Sequence, residues 1–507
     1  MLSPVSSSSR HCSVKFHPKK GHPAHRRHLI QGAYLLLDKN LEYAAIDELA
    51  PRIEAGDLSP VELTQASLGR IEALEPDLNA FLEVFSESAL AQAHTAEAEI
   101  ASGNYKGPMH GITVALKDLI DVEGTVTTGG STILKDNMAT SDATITRRLK
   151  EAGAIIIGKA ALVEFAMGAT GMNPHYGASH NPWNLKRICC GSSMGSASAV
   201  AGGLSVTAIG SDTGGSIRMP AAVTGTAGLK PTYGRVSRAG VLDLSWSCDH
   251  VGPMTRTVAD CAHVMNAISG HDPRDPASAD QAVPDFTSGL KQGLQGLRIG
   301  VPLDFFYDDI DPEIKAAVRA GIALMEREGA IVSEISMPWV SQGRKINVGV
   351  NRPEAVSVHE EWLAKYPNQY SIEVRARLEA ASYIPATEYI RAQRARRWFI
   401  EKMTEATRDV DVLVTPTVPI QTPTIEECIV SPEGDLIAPA TNLLGIFTGV
   451  FDTTGEPSLS LNCGFTEDGM PIGMMISGKP FDEVTVLRAG AGFEAAAGLV
   501  NRRPPIA

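Results

Sequence analysis

Two serines and one lysine are the residues of this chain whose types and spacing could perform chemistry. Ser192 lies in the Gly/Ser-rich segment CGSSMGS, and Ser216 lies in a second one, GSDTGGSIR. Serine is a poor nucleophile at neutral pH, so it needs a base and it needs N–H donors where an oxyanion forms. Lys117 closes the apolar run 112–116, and burial there would keep it neutral and able to act as that base. The pattern therefore favours Ser–Lys chemistry in place of a Ser-His-Asp triad.

A phosphate-binding loop is the first competing interpretation. The segment GAIIIGKA at 153–160 nearly matches that motif, but Ala160 offers no hydroxyl for Mg²⁺ and the intervening residues are typical of a β-branched strand. Lys159 is therefore predicted to be structural.

An α/β-hydrolase elbow is the second competing interpretation. The segment GSSMG at 191–195 would make Ser193 the nucleophile, but an acid and then a histidine should follow in triad context. None of the downstream histidines, among them His250 and His359, has such a context, so the chain does not favour this interpretation.

Several further segments extend the similarity to known proteins over about three-quarters of the chain. Together with the order Lys117, Ser192, Ser216, they resemble the amidase signature family. The segments are GKAALVEFAMG, NPW, GLKPTYGRVS, GPMTRTVAD, DVLVTPTVP, FTEDGMPIG and PFDE.

The resemblance implies a catalytic arrangement. Ser216 would be the nucleophile, and Ser192, preceded by a cis peptide bond, would bridge it to neutral Lys117. The oxyanion would bind to backbone N–H groups of the segment Thr213, Gly214, Gly215 and Ser216. Asp212 and Arg218 would brace this loop, and Ser193 would orient the lysine or its loop.

The substrate pocket is less defined by the resemblance. Met167 is expected to line the acyl pocket, with an ordinary core position as an equal alternative. Cys190 and Met194 stand where the family usually has glycine, and we expect them to reshape the pocket around Ser192. A side chain at such a position is costly if the backbone needs a positive φ.

Alternating strand and helix patterns predict an α/β fold in one large domain, 41–507, although the length alone would suggest several domains. Strands are predicted at Ile112–Leu116 and Ala154–Ile157, and a helix at Asp142–Ala152. Ser59 is predicted to cap another helix. The resemblance implies the same architecture: a mixed central β-sheet sandwiched between helical layers, with helices in the 300s bordering the substrate entrance.

The composition of the chain disfavours several classes of binding partner. A formal net charge of −13 disfavours nucleic acid and anionic membranes, and no run of 18 apolar residues occurs. Seven cysteines without a CxxC pair predict reduced thiols in a cytoplasmic protein.

Residues 1–40 are predicted to be a basic, disordered tail, with an organelle transit peptide as the alternative.

These observations predict an amidohydrolase that cleaves a carboxylic amide, carbamate or anilide through an acyl-enzyme on Ser216. Its partners would be a small-molecule amide and water, with no metal or cofactor, in a monomer or homodimer. One alternative is the catalytic A subunit of a tRNA-dependent amidotransferase. The other is a catalytically weakened binding module, which only Cys190 and Met194 favour.

Overall fold

The helix after Ser59 illustrates how the local sequence fixes an element. The Ser59 hydroxyl accepts the N–H of Val61 at 2.9 Å, and the Glu62 carboxylate accepts the N–H of Ser59 at 3.1 Å. This capping box satisfies N–H groups that have no partner inside the helix, and Pro60 is well suited to the first helical position because it has no N–H. The helix runs over Pro60–Leu78, so the predicted start is confirmed.

A computed structural model describes residues 41–429 and 443–506, which belong to one compact unit. The predicted N-terminal tail, 1–40, lies outside the described residues. The described helices are α1 (Ile46–Glu54), α2 (Pro60–Leu78), α3 (Ser86–Ala101), α4 (Thr144–Glu151), α5 (Met194–Ala201), α6 (Arg218–Thr224), α7 (Val258–Ile268), α8 (Pro312–Arg327), α9 (Gln342–Lys365), α10 (Ile372–Ala381), α11 (Ala386–Ala406), α12 (Gly449–Thr454) and α13 (Glu483–Ala497).

An eleven-stranded mixed sheet runs through this unit in the order β1-β3-β2-β6-β8-β7-β12-β13-β11-β9-β10. The neighbours β3-β2-β6 and β11-β9-β10 are parallel, and the other pairs are antiparallel. Helices cover the sheet, which confirms the predicted fold class. The strands are β1 (Phe81–Val84), β2 (Thr113–Lys117), β3 (Ile155–Ala160), β4 (His180–Asn181), β5 (Asn184–Ile188), β6 (Thr207–Asp212), β7 (Ala227–Lys230), β8 (His250–Thr255), β9 (Arg298–Pro302), β10 (Ile331–Ile335), β11 (Val412–Pro416), β12 (Ser458–Phe465) and β13 (Pro471–Gly478).

The predicted strands and the helix between them are present with slightly shifted ends. Strand β2 includes Lys117 as its last residue, and every residue of β2 and β3 is buried. Ala115, Ile155 and Ala208 belong to one apolar cluster that joins β2, β3 and β6 to the helices packed on them. Burying this surface stabilises the sheet by roughly 25 cal/mol per Å² of apolar area. The ends of β2 and β6 are thereby held close together.

Two prolines mark where sequence patterns and helices agree or differ. Pro51 argues against one unbroken first helix, yet α1 continues through it. Proline removes a single N–H donor there, and the buried face of Leu49 and Ile53 still holds the helix on the core. Pro385, by contrast, directly precedes α11 and separates it from α10, since proline is disfavoured inside a helix.

Candidate active site

Lys117 is the centre of the site because its position at the end of β2 aims it at two hydroxyls. Its Nζ donates to the Ser192 Oγ at 2.7 Å and to the Ser211 Oγ at 2.8 Å. Lys117 and Ser192 are fully buried. Sequence reasoning missed Ser211, although it lies in the same GSDTGGSIR segment as Ser216.

Burial lowers the pKa of Lys117 to about 7, although the charges of Asp212 and Asp249 act in the opposite direction. Asp118, the next residue, does not offset the effect of burial on the pKa of Lys117. Its carboxylate accepts a hydrogen bond from the Nζ of Lys159 at 3.0 Å, and this contact confirms Lys159 as a structural residue. Lys117 can therefore be neutral near neutral pH and accept a proton.

Ser193 holds the two serine segments against each other. Its hydroxyl lies 3.2 Å from the carbonyl oxygen of Ser211, and its backbone N–H donates to the carbonyl of Ser216 at 3.2 Å. Its side chain is fully buried, while the Gly191–Ser192 peptide before it is cis, as the resemblance implies. These contacts are typical of a positioning residue rather than of a nucleophile.

Ser216 lies between β6 and α6 and opens into a cavity of about 210 Å³. Thr213, Gly214, Met167 and Leu244 are among the residues that line the cavity with it. Within residues 41–429 and 443–506, the Ser216 hydroxyl makes no hydrogen bond. Catalytic hydrogen bonds are often long or unformed until substrate binds. The hydroxyl is therefore placed to meet a ligand in the cavity.

The expected oxyanion donors are not equivalent in this structure. Asp212 already accepts the N–H of Gly215, and it also accepts the N–H of Ile217 at 3.0 Å. The N–H groups of Thr213, Gly214 and Ser216, by contrast, donate to no other residue of the described chain. All three residues line the cavity. The free donors are thus Thr213, Gly214 and Ser216, and the N–H of Gly215 serves the loop instead.

A buried ion-pair network braces this loop, as the resemblance implies. Arg218 contacts Asp212 at 2.9 Å and Asp452 at 2.6 Å, and it donates to the carbonyl of Thr448 at 2.9 Å. Burial alone would raise the pKa of Asp212, but the charge and hydrogen bonds of Arg218 hold it below its ordinary value. The network fixes the turn that carries Ser216.

Asp249 and Asn347 support the same loop, and sequence reasoning missed both. The Thr213 hydroxyl donates to Asp249 at 2.5 Å, and the Asn347 amide donates to the Thr213 carbonyl at 3.1 Å. Burial raises the pKa of Asp249 to about 6 despite the hydrogen bonds that its carboxylate accepts. Neither residue lies in a segment whose composition suggests chemistry, so no local signal could have identified it.

The three residues expected in the pocket are placed differently from one another. Met167 lines the cavity, whereas neither Cys190 nor Met194 belongs to its described wall. Met194 packs with Ala161 and Val163 in one apolar cluster, and Cys190 lies in another. The expectation that both reshape the pocket directly is not supported by this arrangement. Met194, at the start of the buried helix α5, and Cys190, in the bend before it, both fill space in the core instead.

Cys190 has a φ of 56°, in the left-handed region that favours glycine. We expect Cys190→Gly to be more stable than Cys190→Ala by about 1 kcal/mol, because only glycine relieves this conformation. Chemical denaturation of both variants measures the difference. The same pair of substitutions at Cys189, which is equally buried, should show the opposite order. Equal or greater stability of Cys190→Ala would contradict this account.

Comparison with known proteins identifies the family. The family described as Amidase matches residues 62–487, and the chain therefore belongs to it. An amidase from Pseudomonas putida is 40% identical over 469 residues, covering 92% of this chain and 99% of the relative. The A subunit of glutamyl-tRNA(Gln) amidotransferase from Myxococcus xanthus (strain DK1622) is 38% identical over 483 residues, covering 90% of this chain and 98% of the relative. The solved structure of 6-aminohexanoate cyclic dimer hydrolase with substrate has a TM-score of 0.83 and 29% identity, covering 92% of this chain and 99% of that one.

Two features are absent from the part of the chain that the structure describes. None of its helices combines the length and the hydrophobicity that a membrane span requires. No group of three or more His, Cys, Asp or Glu side chains there could hold a metal ion.

Proposed function

We propose that this member of the Amidase family is an amidohydrolase that cleaves the C–N bond of a carboxylic amide through an acyl-enzyme on Ser216. One observation carries the proposal: a buried lysine with a lowered pKa donates to Ser192 beside a cavity into which Ser216 opens. A buried neutral amine next to a hydroxyl is what a Ser–Lys mechanism requires.

In the first half of the reaction, the Ser216 hydroxyl attacks the amide carbonyl carbon. Its proton passes to Ser192, while the proton of Ser192 passes to neutral Lys117. The free N–H groups of Thr213, Gly214 and Ser216 are placed to stabilise the oxyanion of the tetrahedral intermediate. Removing one such donor typically costs about 3–4 kcal/mol of barrier.

In the second half, the proton returns from Lys117 through Ser192 to the leaving nitrogen, and the C–N bond breaks. Water then attacks the acyl ester on Ser216 and gives a proton to Ser192, whose own proton passes to Lys117. The bond between the acyl carbon and the Ser216 Oγ breaks, the proton returns through Ser192 to that oxygen, and the carboxylic acid leaves. The transfer between Ser192 and Lys117 follows their 2.7 Å hydrogen bond, whereas the hydrogen bond from Ser216 to Ser192 forms when the substrate binds, as is common for catalytic groups.

We expect the purified chain alone to hydrolyse small amides. The A subunit of a tRNA-dependent amidotransferase is the second candidate, favoured by the 38% identity to a protein of that kind. Size-exclusion chromatography with an amide assay separates the two, since a hydrolase should be active as a monomer or homo-oligomer. Activity only in the presence of a co-purifying second chain would favour the amidotransferase.

A serine-directed fluorophosphonate probe tests the remaining alternative, a catalytically weakened binding module. We expect covalent labelling of Ser216, detected by peptide mass spectrometry, because the hydroxyl opens into the cavity beside its base. A folded protein that the probe does not label would contradict the hydrolase.

A further inference from the structure

Three guanidinium groups line the cavity into which Ser216 opens. They belong to Arg344 and Arg352 on α9 and to Arg377 on α10. No aspartate or glutamate is among the described residues of the cavity wall. A cavity whose charged wall residues are all cations attracts an anion, and the low-dielectric wall strengthens that attraction.

Two of the three arginines have polar partners that account for their positions. The Arg344 Nη1 donates to the side-chain oxygen of Asn347 at 2.8 Å, and the amide of Asn347 in turn holds the Thr213 carbonyl. Arg377 donates to the carbonyl of Met167 and pairs with Glu373. These two residues therefore have structural roles in addition to their charge.

Arg352 differs from its neighbours because its guanidinium makes no hydrogen bond and no ion pair with any residue of 41–429 or 443–506. It is nevertheless half-buried. Burial lowers the pKa of Arg352 to about 10, the charges of Arg377 and Arg344 act in the same direction, and the charge of Glu373, which is paired with Arg377, acts in the opposite direction. The side chain stays cationic at neutral pH. A desolvated cation without a partner is costly, and a bound anion would remove that cost.

We infer that the substrate is an amide that also carries a carboxylate, and that Arg352 binds this carboxylate between Arg344 and Arg377. The inference rests on the proposed function, because it assigns the charge of the same substrate. Guanidinium groups bind carboxylates through two parallel N–H donors, which also orients the ligand. Arg352 would thus select for substrate charge and place the amide against Ser216.

The size of the cavity limits the substrate. A volume of about 210 Å³ corresponds to about seven water molecules at ~30 Å³ each. A short substrate fits this space, such as the monoamide of a small dicarboxylic acid or an N-acylated amino acid. The first carries its carboxylate on the acyl group and the second carries it on the leaving amine.

The test measures kcat/KM for matched charged and neutral amides with the full-length protein. Succinamate and succinamide form one pair, and N-acetylglycine and N-acetylglycinamide form the other. We expect at least one charged substrate to be preferred over its neutral partner by about 10- to 100-fold, mainly through a lower KM. The pair that shows the preference tells whether the acyl group or the leaving amine carries the carboxylate.

Substitution of Arg352 assigns the preference to this residue. In Arg352→Gln the ratio of charged to neutral kcat/KM should fall to near one, whereas Arg352→Lys should retain part of it because the charge remains. Arg375→Gln is the matched control, since Arg375 lies on α10 and pairs with Glu379 instead of lining the cavity. The control should keep the wild-type ratio. Thermal melting shows whether each variant is folded.

The outcomes separate this inference from the proposed function. Turnover of neutral and charged amides at equal kcat/KM, or an unchanged ratio in Arg352→Gln, would overturn the carboxylate site while the amidohydrolase stands. No turnover of any amide, together with no probe adduct on Ser216, would overturn both.

Discussion

Ser216→Ala should lower the kcat/KM for amide hydrolysis by about 10⁴-fold or more while leaving the protein folded. Removal of a serine nucleophile leaves only the contributions of substrate binding and oxyanion stabilisation. The Ser216 hydroxyl makes no hydrogen bond in the described structure, so its loss should cost little stability. Steady-state kinetics and a thermal melt measure the two effects.

Ser193→Ala is the matched control for this prediction, because Ser193 is the competing nucleophile in the GSSMG motif. Its hydroxyl is buried and held by the backbone of Ser211, so the variant should lose stability yet retain measurable turnover. Mass spectrometry should still find the acyl adduct on Ser216. Full activity of a folded Ser216→Ala variant would exclude Ser216 as the nucleophile.

Lys117→Ala should remove most amide hydrolysis, because no other group of the described chain that is hydrogen-bonded to the Ser192 hydroxyl can accept its proton. Esters should be affected less, since their leaving groups need less protonation. Lys117→Arg keeps a long basic side chain but should not restore activity, because a guanidinium stays protonated and cannot accept a proton. Parallel kinetics on an amide and the corresponding ester measure the difference. Amide turnover near that of the wild type in Lys117→Arg would rule out the general base.

The pH dependence follows from the direction of the same pKa shift. Because burial lowers the pKa of Lys117 from 10.5 to about 7, the neutral base forms as pH rises through about 7. The wild-type kcat/KM for amides should therefore rise through that pH and level off above it. An unfolded chain would hold this proton up to its ordinary pKa of 10.5. It thus binds more protons than the folded chain between about 7 and 10.5, and Lys117 makes stability rise with pH there.

The sequence predicts much of the fold where local rules and burial agree. The capping box at Ser59 gives the start of α2, and the apolar run before Lys117 gives β2 within one residue. The burial of Lys117 also follows from its segment, because a lysine at the end of a buried strand has few exposed positions available. Alternation of these elements gives the α/β class.

The sequence does not predict the parts of the site that depend on distant packing. Arg352 and Arg377 lie on helices far along the chain from Ser216, and each looks like an ordinary surface cation within its own helix. Their approach to the cavity depends on how α9 and α10 dock, which no local pattern reveals. The prediction that Met194 lines the pocket is wrong for a different reason. Met194 is close to Ser192 in sequence, but this proximity does not decide which way a helical side chain faces.

The ion-pair network around Arg218 has a consequence for the synthesis of this protein. Ser216 and its loop are made before the midpoint of the chain, but Arg218 depends on Asp452, and β7 pairs with β12 through Leu229 and Leu459. The nascent polypeptide therefore carries Ser216 on an unfinished turn until these late residues leave the ribosome. Hydrolytic activity should appear only with the nearly complete chain, and premature termination before Asp452 should yield an inactive product.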